Sequence, residues 1–155
     1  MKRFVVLERS LCVEIALTDL RILNQKVYRR FLEPVGEKYG LNRAELDVLL
    51  FLANNPGYDT ATDIVEYRGL VKSHVSAAVA KLEERGLLTR SFQNGNRRTV
   101  HLTLTEEATP IVEEGRRGQE EYVKILHQGI SDEEMDLLKS ILKKIMMNVQ
   151  DVKED

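Results

Sequence analysis

One stretch, residues 60–105, constrains the fold of this chain more than any other. It contains a short helical pattern that leads into Gly69, a second helical pattern that ends at Gly86, and two strand patterns separated by Asn94-Gly95. An Asn-Gly pair between two strand patterns is the strongest short-range signal for a two-residue hairpin turn. The order helix, turn, helix, hairpin is typical of a winged helix-turn-helix, whose second helix lies in the major groove of DNA.

The second helical pattern has two chemically different sides. At 100° steps its apolar residues gather on one side: Val71, Val75, Ala78, Val79 and Leu82. The other side and its flanks carry small, lysine and histidine side chains: Lys72, Ser73, His74, Ser76, Ala77 and Lys81. Serine can donate to or accept from several bases, and an alanine methyl can meet a thymine methyl. We therefore predict that this side binds DNA, with the serines and the histidine near base edges and the lysines on phosphates. The alternative is an ordinary surface helix whose exposed side has few long polar side chains.

Two arginines, Arg97 and Arg98, stand where the second strand begins. Arginines on a protruding hairpin suit the DNA minor groove, whose negative potential deepens where A·T tracts narrow it. The alternative is a solvated edge strand whose positive charge discourages aggregation. Residues 68–101 hold seven Lys or Arg against two Glu, a net charge of +5 in a chain whose total is −2. Positive charge is thus concentrated where phosphate contact is predicted.

The same stretch resembles the MarR family of bacterial transcriptional regulators. That family typically has Leu-x-x-x-Gly-Leu-(Val/Ile)-x-Arg, then Asp-x-Arg at the second wing strand, then Leu-Thr before a long helix. The positions that fit are Leu82, Gly86, Leu87, Leu88, Arg90, Arg98, Leu104 and Thr105. The resemblance implies that Arg98 enters the minor groove and adds Arg90 to the DNA-binding candidates. Asn96 departs from the family, which usually has an aspartate there to orient a wing arginine, so the charge assistance of that contact is lost.

The flanking segments predict helices that pair two subunits. A long helix is expected over about residues 5–32, stopping near Pro34, with a short turn at 35–39 that ends at Gly40. It carries two apolar stripes, one of Leu7, Leu11 and Ile15 and the other of Ala16, Leu20, Leu23, Val27 and Phe31. The last helix opens with a capping box over residues 131–134, and its apolar residues alternate by three and four: Met135, Leu138, Leu142, Ile145 and Val149.

The intervening segments carry local signals of their own. Asn42 with Glu45 is a capping arrangement, and Thr60 or Thr62 caps the first helix of the helix-turn-helix. A further long helix is predicted from Thr105, with Ile111, Gly115, Tyr122 and Leu126 on one face. Its Gly115 and Gly118 permit either a close helix crossing or a bend. The predicted fold is α+β and mainly α, a single MarR-like domain over 1–155. Its DNA-binding lobe spans about 41–105, and its dimerisation helices span about 1–40 and 106–155.

Other classes of site and location are disfavoured. The three histidines are scattered, without metal-ligand spacing, and no nucleophile elbow, phosphate loop or carboxylate pair is present, so we predict no enzyme activity, metal or cofactor. The single cysteine, and the absence of a signal-like or roughly 18-residue apolar run, predict a cytoplasmic protein away from membranes.

The sequence thus predicts a transcriptional regulator, a repressor, that binds a pseudo-palindromic operator on double-stranded DNA as a homodimer. By resemblance, a small aromatic or anionic effector is a further partner, with four tyrosines as candidates but no assigned site: Tyr28, Tyr39, Tyr58 and Tyr67. One alternative is a protein-interaction subunit without DNA binding, whose docking face should be more apolar and aromatic. The other is a redox sensor acting through Cys12, although no nearby basic cluster would activate that thiol.

Overall fold

The computed structural model describes the backbone of residues 9–93 and 96–151 and the side chains of 19–92 and 98–149. These residues form a mainly helical fold with one two-stranded antiparallel sheet, as predicted. The elements are α1 (Arg9–Tyr39), α2 (Arg43–Asn54), α3 (Ala61–Arg68), α4 (Lys72–Glu84), β1 (Leu88–Gln93), β2 (Asn96–Leu104), α5 (Thr109–His127) and α6 (Asp132–Asp151). The chain divides into two compact units, Met1–Tyr122 and Val123–Asp155.

The first helix continues through Pro34, so the prediction that it stops there is wrong. Proline inside a helix removes a backbone hydrogen bond and costs about 3 kcal/mol. Leu32 and Val35, on either side of it, are both buried in the core. Burying such a side chain contributes about 1.5–3 kcal/mol, so tertiary packing offsets the local cost. The helix ends at Tyr39, and Gly40 follows with φ +61°, the left-handed conformation that glycine favours.

Two capping boxes fix the starts of α2 and α3. The Glu45 N–H donates to the Asn42 side chain at 3.0 Å, and the Glu45 carboxylate accepts from the Asn42 N–H at 2.9 Å, as predicted. At α3 the sequence predicted either Thr60 or Thr62 as the N-cap, and the structure shows that it is Thr60. Its hydroxyl accepts from the Asp63 N–H at 3.1 Å, while the Asp63 carboxylate accepts from the Thr60 N–H at 2.9 Å.

The core of the first unit lies where α4 packs against α2 and α3. Its most deeply buried side chains are Leu32, Leu46, Leu49, Leu50, Ile64, Leu82, Leu88, Val48 and Val75. Val71 was predicted to join them, but it is 59% exposed. It is the N-cap of α4 and has extended backbone (φ −69°, ψ 129°), so helical spacing does not apply to it.

The long helix after the wing begins later than predicted. A 3-10 turn over Glu106–Ala108 comes first, and α5 starts at Thr109. Ile111, Gly115 and Tyr122 are buried as one face, whereas Leu126, in the second unit, is 42% exposed.

The two glycines of α5 lie at close helix crossings, which was one of the two roles considered for them. A Cβ on Gly115 would lie 2.6 Å from a Leu50 methyl group of α2. A Cβ on Gly118 would lie 2.7 Å from the Phe31 carbonyl oxygen of α1. Both distances are far below normal van der Waals contact. The Leu50 side chain can shift, but the Phe31 carbonyl is backbone, so the crossing of α5 over α1 depends on glycine at 118.

The second unit contains the end of α5 and all of α6. The predicted capping box is present: the Ser131 N–H donates to Glu134 at 2.8 Å, and the Glu134 N–H donates to the Ser131 hydroxyl at 3.2 Å. Three residues of the predicted apolar stripe are exposed in the single chain: Leu138 at 44%, Leu142 at 39% and Val149 at 57%. Across the described residues, no helix has the length and apolar character needed to cross a membrane.

Candidate nucleic-acid interface

The α4 helix has the two contrasting sides that its sequence predicts. Val75, Ala78, Val79 and Leu82 are buried, none more than 4% exposed. All six residues predicted for the opposite side are exposed, and we call them the polar face of α4: Lys72, Ser73, His74, Ser76, Ala77 and Lys81. Because three of the six are serine or alanine, the helix backbone can approach a flat surface closely. Such an approach is what reading base edges in a groove requires.

The start of α4 is electropositive. Gly69 ends α3 with φ +62° in the left-handed conformation, and three residues later α4 begins at Lys72. The N-cap Val71 has no side-chain oxygen, so no side chain caps the first N–H groups of α4. The first turn of a helix carries partial positive charge and attracts anions such as phosphate. The lysine at the first position adds a full charge to that end.

The far end of α4 is fixed to the end of α1 by Arg85. Its guanidinium donates to the Gly40 carbonyl oxygen at 3.0 Å and to the Tyr39 carbonyl oxygen at 2.7 Å. These carbonyls lie at the negative end of the α1 dipole, where a cation is stabilising. On the flank of α4, the Lys81 amine lies 3.7 Å from the buried Glu45 carboxylate. The role of Arg85 is not predictable from sequence, because its partners lie about 45 residues away along the chain.

The wing, defined here as β1 and β2 with their connection, is an antiparallel ribbon. Leu88 pairs with Leu104 at its base and Gln93 pairs with Asn96 near its tip, with an irregularity between Ser91 and Gln93. The predicted turn at 94–95 lies outside the described residues, as do the side chains of Asn96 and Arg97. Arg98 is exposed on β2.

Two side-chain contacts join the base of the wing to the helices. The Arg90 guanidinium of β1 lies 3.0 Å from the Glu83 carboxylate near the end of α4. The His101 ring of β2 lies 2.7 Å from the Asp59 carboxylate, just before the Thr60 cap of α3. Arg90 is a DNA-binding candidate by resemblance, whereas no role was predicted for His101. His101 and Asp59 are 42 residues apart, so no pattern of neighbouring residues in the sequence predicts their contact.

Of the four candidate tyrosines of the effector hypothesis, Tyr28 and Tyr39 bond to different residues of α5, whereas Tyr58 and Tyr67 pair with each other. The Tyr28 hydroxyl accepts from Gln119 at 2.6 Å, and the Tyr39 hydroxyl donates to Glu114 at 2.9 Å. The rings of Tyr58 and Tyr67 meet edge to face at 4.5 Å, and their hydrogen bond raises the pKa of the Tyr67 hydroxyl.

Cys12 lies in α1, but its side chain is outside the described ones. In the part of the chain that the structure describes, no three His, Cys, Asp or Glu residues form a group that could hold a metal ion.

The arrangement of α3, α4 and the wing defines a winged helix-turn-helix protein. A family model described as the MarR family matches residues 39–99. The chain is similar to the HTH-type transcriptional repressor MdtR of Bacillus subtilis (strain 168), at 30% identity over 117 residues, 76% of this chain and 74% of that protein. The chain therefore belongs to the MarR family of transcriptional regulators. These relatives are regulators rather than enzymes, in agreement with the predicted absence of catalytic activity.

Solved structures share the same fold. The transcriptional regulator PA3341 superposes with a TM-score of 0.75 at 23% identity, covering 87% of this chain and 98% of that one. CouR from Rhodococcus jostii RHA1, in a crystal structure bound to p-coumaroyl-CoA, superposes with a TM-score of 0.69 at 21% identity, covering 86% and 90%. At this level of identity the structures establish the winged-helix fold of this chain.

Proposed function

We propose that this protein is a repressor that binds a pseudo-palindromic DNA operator as a homodimer. The observation that carries the proposal is the exposed polar face of α4 next to the wing. Ser73, His74 and Ser76 would read base edges, Ala77 would meet a thymine methyl group, and the two lysines would contact phosphates. A phosphate at the electropositive start of α4 would add to the lysine contacts.

Exposed apolar residues support the dimer. In a single chain, α1 exposes Leu20 at 57% and Leu23 at 59%, although both belong to one predicted stripe. Three residues of the α6 stripe are exposed as well, and exposed apolar stripes are typical of protein interfaces. A twofold dimer would present two copies of α4 to adjacent major grooves, about 34–36 Å apart.

The first prediction tests base reading by α4. We expect Ser76→Ala to change the preference among operator variants by about 1 kcal/mol or more at the affected base pair, because a hydrogen bond to one base edge is lost. The matched control is Ser91→Ala, an exposed serine on the wing outside the polar face. Binding of both variants to a set of single-base operator variants gives the answer. Equal weakening on every sequence would place Ser76 on the DNA backbone instead.

The second prediction concerns the wing arginines. Arg98→Ala should reduce affinity most on operators with A·T-rich flanks, because a narrow minor groove focuses negative potential. Arg97→Ala should weaken binding to all sequences alike and lower the salt slope by about one unit, as expected for a phosphate contact. Asn96→Asp should tighten binding, because the better orientation of Arg98 outweighs the added negative charge near DNA. The measurement is binding to A·T-flanked and G·C-flanked operators over a salt series. Unchanged flank preference in Arg98→Ala would remove this arginine from the minor groove.

An effector of the aromatic or anionic class has a candidate site in the first unit. A cavity of about 360 Å³ lies between the end of α1 and the start of α2, lined by apolar residues such as Leu32 and Leu46 and by charged ones, Arg29, Arg43, Glu33 and Glu37. Arg29 pairs with Glu33 and Arg43 with Asp47, so an aromatic carboxylate would bind between the apolar walls by sharing or displacing these partners. The p-coumaroyl-CoA bound by CouR is a ligand with an aromatic acyl group, which supports this class.

The third prediction tests that site. Among a panel of aromatic carboxylates, we expect at least one to raise the melting temperature and to release DNA. Arg43→Met should weaken that ligand by about tenfold, since a charged hydrogen bond is lost. Arg30→Met is the control, because Arg30 is an exposed arginine of α1 outside the cavity lining. Equal ligand affinity in the two variants would place the ligand elsewhere.

A further inference from the structure

The base of the wing is attached to the start of α3 by three contacts around Asp59. The Leu102 N–H donates to the Asp59 carbonyl oxygen at 2.7 Å, and Thr60 forms an isolated antiparallel bridge with His101. The third contact joins side chains: His101 Nδ1 lies 2.7 Å from Asp59 Oδ1. A carboxylate can only accept, so Nδ1 carries the hydrogen and donates to it.

The side-chain contact is partly shielded from water. The His101 side chain is 21% exposed and that of Asp59 is 35% exposed. A charge-assisted hydrogen bond with such limited solvent access is shorter and stronger than one between neutral groups on an open surface. It therefore restrains β2 more than a surface contact would.

The contact lies on the last regular rung of the ladder, just before the irregularity between Ser91 and Gln93. Ser91 pairs with His101, and Arg90 pairs with Leu102, so the two attachments occupy neighbouring rungs of the ladder. Side chains alternate between the faces of a strand, so Arg90–Glu83 holds one face of the ribbon and His101–Asp59 holds the other. A two-stranded ribbon is marginally stable by itself, so its direction depends on such attachments.

Arg98 is three residues from His101 on the same strand, a distance of about 10 Å at strand rise. The register irregularity separates the two residues, so the direction of β2 at His101 sets where the segment that carries Arg98 begins. We propose that Asp59 and His101 are positioning residues that set the direction of the wing and thereby place Arg98 for binding. The pair would thus determine specificity for the sequences flanking the operator. This inference rests on the proposed DNA binding.

The pair also connects the wing to the helix-turn-helix. Asp59 directly precedes Thr60, whose capping box with Asp63 starts α3. A shift of β2 at His101 therefore displaces the start of α3, and a shift of α3 displaces the wing. The two DNA-contacting parts of the lobe would thus be held in a fixed relation before DNA is bound.

The test is a double-mutant cycle in the full-length protein. His101→Ala should lower affinity for an A·T-flanked operator by about tenfold, but by less than about twofold when Arg98 is already alanine, because coupled residues are non-additive. Asp59→Ala should behave like His101→Ala. Asp59→Asn keeps an acceptor oxygen and should restore most of the affinity. Ser91→Ala, on the rung of His101, is the control and should leave flank preference unchanged.

A second readout separates this inference from DNA binding itself. Hydrogen exchange of the β1 and β2 amides in the free protein should be faster in His101→Ala than in the wild type, while the α2 amides and the melting temperature stay close to wild-type values. If His101→Ala costs the same affinity with and without Arg98, the positioning role is wrong although DNA binding stands. If hydrogen exchange of the β1 and β2 amides is unchanged in His101→Ala, the contact does not restrain the wing, whatever the binding result. If the wild type binds no duplex DNA, the proposed function fails, and wing exchange still tests the attachment.

Discussion

Replacing Leu138 and Leu142 together by lysine is expected to convert the protein to a monomer and to weaken operator binding by about 100-fold or more, the loss expected when two linked half-sites become independent. Both side chains belong to the α6 stripe and are 44% and 39% exposed in the single chain. Lysines there would bring like charges together in the proposed interface. Folding of the single chain should change little, because neither leucine is part of its core.

The matched control places two lysines elsewhere on the same helix. Ser140 and Met147 are exposed and lie off the α6 stripe, so Ser140→Lys with Met147→Lys adds the same charge. Molar mass by sedimentation and affinity for an operator should both remain at wild-type values in the control. A Leu138→Lys, Leu142→Lys protein that remains a dimer would show that the α6 stripe does not form the interface.

Gly118→Val should lower the free energy of unfolding by about 3 kcal/mol, at the upper end of the usual cost of overpacking. A Cβ at this position meets the Phe31 carbonyl oxygen at 2.7 Å, and a backbone atom cannot move aside as a side chain can. Replacing glycine in a helix would by itself raise the free energy of unfolding by a fraction of 1 kcal/mol. The net loss of stability therefore comes from the steric conflict at the helix crossing.

Urea unfolding of the variant measures this effect. Glu113→Val is the control, since residue 113 is exposed on the same helix and receives the same β-branched side chain. It should cost no more than about 0.5 kcal/mol from helix propensity alone. A Gly118→Val protein as stable as the control would mean that α5 and α1 can separate at little cost.

Features set by neighbours along the chain were predictable from sequence. The Asn42 and Ser131 caps depend on residues three positions further on, and the two sides of α4 follow from helical spacing. Local rules failed where packing overrides them. Pro34 stays inside α1 because its neighbours are buried, and Val71 leaves the apolar side of α4 because the helix begins after it.

Contacts between distant residues were beyond sequence reasoning. Arg85 reaches carbonyls about 45 residues away, and His101 reaches Asp59 across 42 residues. Their residue types are common on any surface, so only the fold shows that they hold α4 and the wing in place. The polar face of α4 was predictable because it needs one helix, whereas its orientation relative to the wing needs the whole lobe.

Selection of bound sites from random duplex DNA with the purified protein, repeated at several salt concentrations, tests the central claim most directly. The selected pool should contain two related half-sites in inverted orientation, about 10 base pairs apart from centre to centre, with A·T enrichment at the flanks. Affinity for the selected site should fall steeply as salt rises, because phosphate contacts release counterions. A bound pool with the same sequence composition as the input would contradict the account.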